Sequence, residues 1–282
     1  MSFISAAVIP TALSSLSSDL YFVSVESGGR STSSCRFYFY RWSGFMRTVI
    51  TLIYVVVFLI MSYPVSGIQW LIHPKDERRR KLMLLSYVHW GFRCVEKLSG
   101  SKVTVKGLEN IPKDRPAVYI SNHQSIFDIV VTYSRIPGFC GFIAKKSLLQ
   151  IPILGWLMKR LYSLGIDRSN LKDGLKVILK AIDEAKNGIS ICIYPEGTRS
   201  KDGEVHEFHA GSFKVATKSG CPVIPVAVNG TRDILEYHFP NIKKSNVTLS
   251  FGKPIETKGM SRDEQKELPN RVRNEIIEMM KN

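Results

Sequence analysis

Tyr119-Ile-Ser-Asn-His-Gln-Ser-Ile-Phe-Asp128 opens as an apolar strand and closes as a polar turn. Its two chemically capable residues, His123 and Asp128, stand five positions apart. On one continuous helix that offset turns through roughly 140°, so the two side chains would diverge. They meet only if His123 occupies the turn and Asp128 the first turn of a following helix. Ser121 and Asn122 supply the turn chemistry this needs. A carboxylate placed in this way fixes the imidazole's tautomer and steadies its positive charge while the ring takes a proton from an alcohol. The same residues also fit a plainer role, a His capping a helix and an Asp stabilising its N-terminus.

Working outward, the chain after Gly100 alternates strand and helix. Strand-like apolar runs are Val103–Val105, Ala117–Ile120, Phe142–Ala144, Ser163–Ile166, Ile189–Tyr194, Val223–Val228 and Val247–Phe251. The clearest helix carries Leu171, Leu175, Ile178, Ile182 and Ala185 on one stripe, with Asn170 or Ser169 to cap it and Gly188 to end it. A charged helix over Ser261–Lys281, interrupted or kinked near Pro269, closes the chain. This alternation predicts an α/β domain with a mostly parallel sheet flanked by helices.

In such sheets ligands bind at the carboxyl ends of the strands. The polar, capable residues fall there: His123 after one strand, Arg168 after Ser163–Ile166, Glu196-Gly-Thr-Arg-Ser200 after Ile189–Tyr194, and Asn229-Gly-Thr231 after Val223–Val228. Pro195 stops its strand, Gly197 permits close backbone approach, and Thr198 with neighbouring N–H groups can donate to an anion. Arg199 offers the planar fork suited to phosphate. Read singly, Arg168 is a surface arginine and the Glu196–Arg199 loop a turn with an ion pair. Four loops meeting on one rim favour a site.

Upstream, Thr48–Tyr63 is an uncharged, mostly apolar run broken by Pro64. As a helix it covers about 24 Å, short of the ~30 Å hydrocarbon core. A second apolar piece, Val65–Ile72, leads to the basic cluster Lys75-Asp-Glu-Arg-Arg-Arg-Lys81, and Arg41 and Arg47 make the other flank basic. Basic residues on both sides favour a helical hairpin dipping into one leaflet from the cytoplasmic face, with anionic lipid as its partner. The expected division is 1–44 as an unstructured or dispensable extension, 45–81 as the membrane-embedded helical hairpin with its basic flank, and 82–282 as the α/β domain. Met46, directly before the apolar run, or a residue near it, is the expected working N-terminus, with a cleaved targeting peptide over 1–44 as the rival.

The net charge of +15 calls for an acidic partner, either a phosphate compound or an anionic membrane. Nucleic acid fits poorly, because the basic residues are scattered and form no zinc-finger or aromatic-rich basic motif. The five cysteines lie far apart without a C-x-x-C, which fits a reducing compartment and neither a disulfide framework nor a zinc site.

Asn122-His-Gln-Ser-Ile-Phe-Asp128, Gly165-Ile-Asp-Arg168, Tyr194-Pro-Glu-Gly-Thr-Arg-Ser200 and Val223-Ile-Pro-Val-Ala227 resemble, in order and spacing, the four motif blocks of the glycerolipid acyltransferase family. Ala144-Lys-Lys-Ser-Leu-Leu-Gln-Ile-Pro152 with Gly155-Trp156 is similar to the branch that acylates lysophosphatidic acid. The likeness runs from about Phe45 to Gly252, with Tyr194 where Phe is usual and His209 where Lys is frequent. It implies transfer of an acyl group from an acyl-CoA or acyl-ACP thioester to the sn-2 hydroxyl of 1-acyl-sn-glycerol 3-phosphate, giving phosphatidic acid. It also implies His123 as general base with Asp128 orienting it, and Lys145, Arg168 and Arg199 on the acceptor phosphate. Glu196, Gly197 and Thr198 would shape the loop or touch the glycerol, and the Ile224-Pro-Val226 region would take the acyl end. The chemistry requires no metal or cofactor. Acylation of glycerol 3-phosphate or of another lysophospholipid is the alternative within the family. A non-catalytic lipid-binding module is the alternative outside it, and a serine hydrolase lacks its G-x-S-x-G elbow here.

Overall fold

Val118-Tyr-Ile-Ser121 forms β2, and all four of its residues are buried. In the computed structural model, which describes residues 33–281 apart from residue 168 and side chains from residue 44 onward, β2 is the middle strand of a seven-stranded sheet. The others are β1 (Lys102–Lys106), β3 (Cys140–Lys145), β4 (Leu164–Ile166), β5 (Ser190–Ile193), β6 (Val223–Asn229) and β7 (Asn246–Phe251), in the order β1-β7-β6-β2-β5-β3-β4. Val118 pairs with Ile191 of β5 on one side and with Val223 of β6 on the other, both in parallel. Of the six neighbouring pairs only β6–β7 is antiparallel. The seven strands coincide with the seven runs expected from the sequence.

A strand buried on both faces needs helices on both. Alternation along β2 sends Tyr119 one way and Val118 and Ile120 the other. Tyr119 joins Leu84 and Val88 of α2 (Glu77–Ser99) and Phe127 and Val131 of α3 (Phe127–Tyr133). Val118 and Ile120 pack with Ala181 of α5 (Leu171–Lys186), Val215 of α6 (Lys214–Ser219) and Val272 of α7 (Arg262–Lys281). A short α4 (Pro152–Arg160) links β3 to β4. The result is the expected α/β architecture.

Asn170 caps α5 by accepting the N–H groups of Lys172 and Asp173, and Gly188, with a positive φ, follows its end. The buried face of α5 follows the later part of the expected stripe, where Ile178 and Ile182 pack against the core and Ala185 is buried, and departs from it at the start. Val177, Ala181 and Ala185 are inside, while Leu171 and Leu175 are exposed. α7 continues through the buried Pro269 as a single helix.

The N-terminal segment differs more. α1 runs from Ser33 to Ile72 and passes through Pro64 without a break. Proline removes one i→i−4 bond, which an apolar helix tolerates when nearby hydroxyls compensate. Here the carbonyl left without its donor is that of Ile60, and the helix continues around it; the Ser62 hydroxyl donates to the neighbouring Leu59 carbonyl at 2.6 Å. The chain reverses at residues 73–76, and the second arm is α2, not Val65–Ile72. The boundary expected after residue 81 therefore falls inside a helix. Phe58 of α1 stacks on Tyr87 of α2 at 4.5 Å, and the Tyr87 hydroxyl donates to the Phe58 carbonyl at 2.7 Å. A Cβ at Gly91 would lie 2.2 Å from the Phe58 ring, so that glycine sets the approach of the two helices. Most of the 1–44 stretch lies outside the described residues, and its last part, from Ser33, already belongs to α1.

Candidate active site

The carboxyl ends of β6, β2, β5, β3 and β4 line one rim, because these strands run parallel side by side. His123 lies in the turn after β2, and Asp128 is the second residue of α3. This is the placement the five-residue offset required. His123 Nδ1 and Asp128 Oδ2 are 2.8 Å apart, and Asp128 is fully buried. The same Oδ2 accepts the N–H groups of Gln124 at 2.6 Å and Ser125 at 2.8 Å, while Oδ1 accepts the Thr231 hydroxyl at 2.5 Å. A carboxylate held by four donors cannot rotate, so the imidazole it meets is fixed as well. With Nδ1 turned to Asp128, Nε2 is the ring nitrogen left to face a substrate. The ring's face stacks on Tyr194 at 4.2 Å between centroids.

The loop after β5 grips the backbone of His123. Glu196 Oε1 accepts the His123 N–H at 2.8 Å, and the Ser200 N–H donates to the His123 carbonyl at 2.8 Å. Glu196 Oε2 accepts the His206 N–H at 3.2 Å. Burial pushes the Glu196 carboxyl above its ordinary range, against the opposing pull of those two N–H groups. Gly197 has φ +75°, a left-handed backbone conformation that favours glycine. Thr198 and Arg199 are exposed beyond it. Arg199 Nη1 donates to Glu236 Oε1 at 3.0 Å, and the same oxygen accepts the Ile126 N–H at 2.9 Å.

Lys145 ends β3 and is exposed on the rim. Its neighbour Lys146 reaches Asp173 at 3.2 Å, and Asp173 accepts the Asp167 N–H at 2.9 Å. That N–H first, and then Lys146, holds the Asp173 carboxyl below its usual range. Arg168 lies outside the described residues. Ile224, Pro225 and Val226 are buried on β6, with their backbone committed to β2 and β7. Among the described residues no group of three or more His, Cys, Asp or Glu converges as metal ligands.

Several supports depend on partners that the sequence does not mark. Asn122 bonds the β6 backbone twice, donating to the Val228 carbonyl at 2.8 Å and accepting the Val228 N–H at 2.9 Å. Thr231 was visible only as part of a rim loop. Glu236 lies far along the chain with no motif around it.

Residues 102–229 match the family model described as Acyltransferase. A chloroplastic 1-acyl-sn-glycerol-3-phosphate acyltransferase of Arabidopsis thaliana is 38% identical over 181 residues, 64% of this chain and 49% of its own length. A 1-acyl-sn-glycerol-3-phosphate acyltransferase of Saccharomyces cerevisiae is 30% identical over 193 residues, covering 67% of this chain and 63% of its own. This chain thus spans roughly half to two thirds of such curated relatives. The crystal structure of the 1-acyl-sn-glycerophosphate acyltransferase PlsC from Thermotoga maritima superposes with a TM-score of 0.74 at 27% identity, over 84% of this chain and 96% of that one.

Proposed function

Since this chain belongs to the acyltransferase family through residues 102–229, we propose that it acylates the sn-2 hydroxyl of 1-acyl-sn-glycerol 3-phosphate, giving phosphatidic acid. The relatives named for that reaction support the choice of acceptor. The observation that carries the chemistry is the 2.8 Å contact of His123 Nδ1 with the buried, four-donor carboxylate of Asp128.

His123 Nε2 takes the proton of the acceptor hydroxyl as its oxygen attacks the thioester carbonyl. The C–O bond forms, the C–S bond breaks, and the departing sulfur takes the proton back from the imidazolium. Asp128 holds the ring with Nδ1–H turned inward and steadies its charge. The donor is a thioester of coenzyme A or of acyl carrier protein. Lys145, Arg168 and Arg199 bind the acceptor phosphate, with Thr198 donating beside them. Glu196 and Gly197 shape the loop, and the bonds of Glu196 favour that role over contact with glycerol.

The deciding experiment offers purified protein an acyl-CoA or acyl-ACP with either lysophosphatidic acid or glycerol 3-phosphate. Phosphatidic acid formed by the wild type and lost in His123→Ala supports the reading. Turnover of glycerol 3-phosphate alone reassigns the acceptor, and binding without turnover leaves a lipid-binding module.

A further inference from the structure

The segment after β6 touches three parts of the molecule in succession. Thr231 bonds Asp128, and Glu236 bonds both the Ile126 N–H and Arg199. The chain then reaches α1, where the Thr48 hydroxyl donates to the Pro240 carbonyl at 2.9 Å and accepts the Ile242 N–H at 2.8 Å. Between these anchors the segment turns large apolar side chains outward. Phe239 is 77% exposed and Tyr237 56% exposed, and Tyr237 lies against the Arg232 guanidinium at 4.1 Å. Ile126, held by Glu236, is also exposed.

This patch is not isolated. Gly44 of α1 lies against Asn241 and Ile242, so the exposed Phe45 and Met46 begin where the 237–239 aromatics end. From there the apolar face of α1 continues through Ile50, Ile53, Val57 and Ile60. Gly44–Ile72 is long and apolar enough to cross a membrane, and only 17% of its most apolar window is buried. An exposed apolar surface of this extent requires cover. Lys243 and the exposed Lys244 flank the aromatic turn with the charge that lipid phosphates favour.

We propose that Ile126 and the Tyr237–Phe239 turn, continuous with the face of α1, form a second lipid contact that seats a phospholipid leaflet at the mouth of the His123 site. The aromatic turn inserts at the headgroup–acyl boundary, where Tyr keeps its hydroxyl in the polar layer and Phe enters the apolar one. An acceptor lipid then reaches His123 without leaving the leaflet. This last consequence rests on the acyltransferase reading above; the lipid contact itself does not.

The test uses the full-length protein with phosphatidylcholine–phosphatidylglycerol vesicles. Phe239→Trp should shift its added emission to the blue when vesicles are supplied. Phe239→Ser should lose about tenfold in kcat/KM on a vesicle-borne acceptor, the factor set by about 1.4 kcal/mol of lost contact. On a monomeric short-chain acceptor it should stay within about twofold, the range of an ordinary surface change. Phe239→Leu, which restores an apolar side chain, should recover the vesicle activity. Equal losses on both acceptors would overturn the proposal. So would an unshifted emission from Phe239→Trp protein that floats with the vesicles, a result that would turn the patch toward a protein partner. If the wild type acylates neither acceptor, the acyltransferase reading fails while the emission of the Phe239→Trp variant still decides the lipid contact.

Discussion

Glu196 and His123 are joined through the main chain: Oε1 of the carboxylate accepts the His123 N–H at 2.8 Å, and the ring is left to Asp128 and Tyr194. Both Glu196 oxygens accept backbone N–H groups, the second from His206. In Glu196→Gln the amide oxygen can serve one of them, but its NH₂ then faces the other donor. We expect kcat to fall by about tenfold or more, the scale of a lost buried hydrogen bond of about 1.4 kcal/mol or more at the base. Acceptor KM should move less. Steady-state kinetics would refute the positioning role if KM alone changed.

The two members of the dyad should fail differently. His123→Ala removes the proposed proton acceptor and should lower kcat by about 10²-fold or more, with thermal stability near wild type. Asp128→Ala leaves the Thr231 hydroxyl and two N–H groups without their shared acceptor in a buried place. A cost of about 2–3 kcal/mol is expected beside the lost activity. Thermal melts of both variants check this. An Asp128→Ala protein as stable as wild type would mean that the carboxylate does not hold the turn.

Most of the sheet was legible because buried parallel strands are apolar runs, and β2, β5 and β6 are such runs bounded by polar turns. His123 and Asp128 were legible because the chain places them on either side of a turn. Thr231, Asn122 and Glu236 were not, because each acts through a partner far away in sequence; the Thr231–Asp128 bond closes a separation of 103 residues. Pro64 misled for a different reason. Local propensity predicts a break, but a long apolar helix with its other bonds intact on both sides absorbs one lost bond. Leu171 and Leu175 misled because periodicity shows which face is apolar, not how far the core beneath it extends.

Arg199 is exposed and paired with Glu236, so it can turn from that carboxylate to an incoming phosphate. Arg199→Lys keeps the charge and loses the planar fork. Acceptor KM should rise several-fold, in line with about 1 kcal/mol of lost charge-assisted bonding, while the KM for the acyl donor changes little. Equal effects on the two substrates would remove Arg199 from the phosphate site.

His89 of α2 meets the edge of Tyr133 at 5.2 Å between centroids, and its Nε2 is buried without a hydrogen-bond partner. Burial, and then the Arg93 charge, pulls its pKa down to about 4. The unfolded chain, with an ordinary value of about 6.5, takes the proton first as pH falls. The stabilisation from neutral His89 is therefore present above about pH 6.5 and is lost progressively toward pH 4. Melting temperature should decline across that window, and His89→Phe should flatten the decline. A slope unchanged in His89→Phe would assign it to other groups.

α1 is fastened to the α/β domain at two separated points, through Thr48 to Pro240 and Ile242 and through Tyr63, which packs on Trp156 at 4.6 Å. Those fifteen residues correspond to about 22 Å of helix. A helix standing upright through ~30 Å of hydrocarbon would carry the domain surfaces at both fastenings into lipid, where Arg160 and Lys159 beside Trp156 could not stay hydrated. We propose instead that α1 lies along the domain, presents its exposed apolar side to one leaflet and returns through α2. Both ends of the hairpin then share one face of the membrane. In sealed vesicles Cys35, near the start of α1, and a cysteine introduced at the exposed Lys97, near the end of α2, should react with a membrane-impermeant maleimide from the same side. Labelling from opposite sides would establish a single span and require the Thr48 and Tyr63 contacts to break in the membrane.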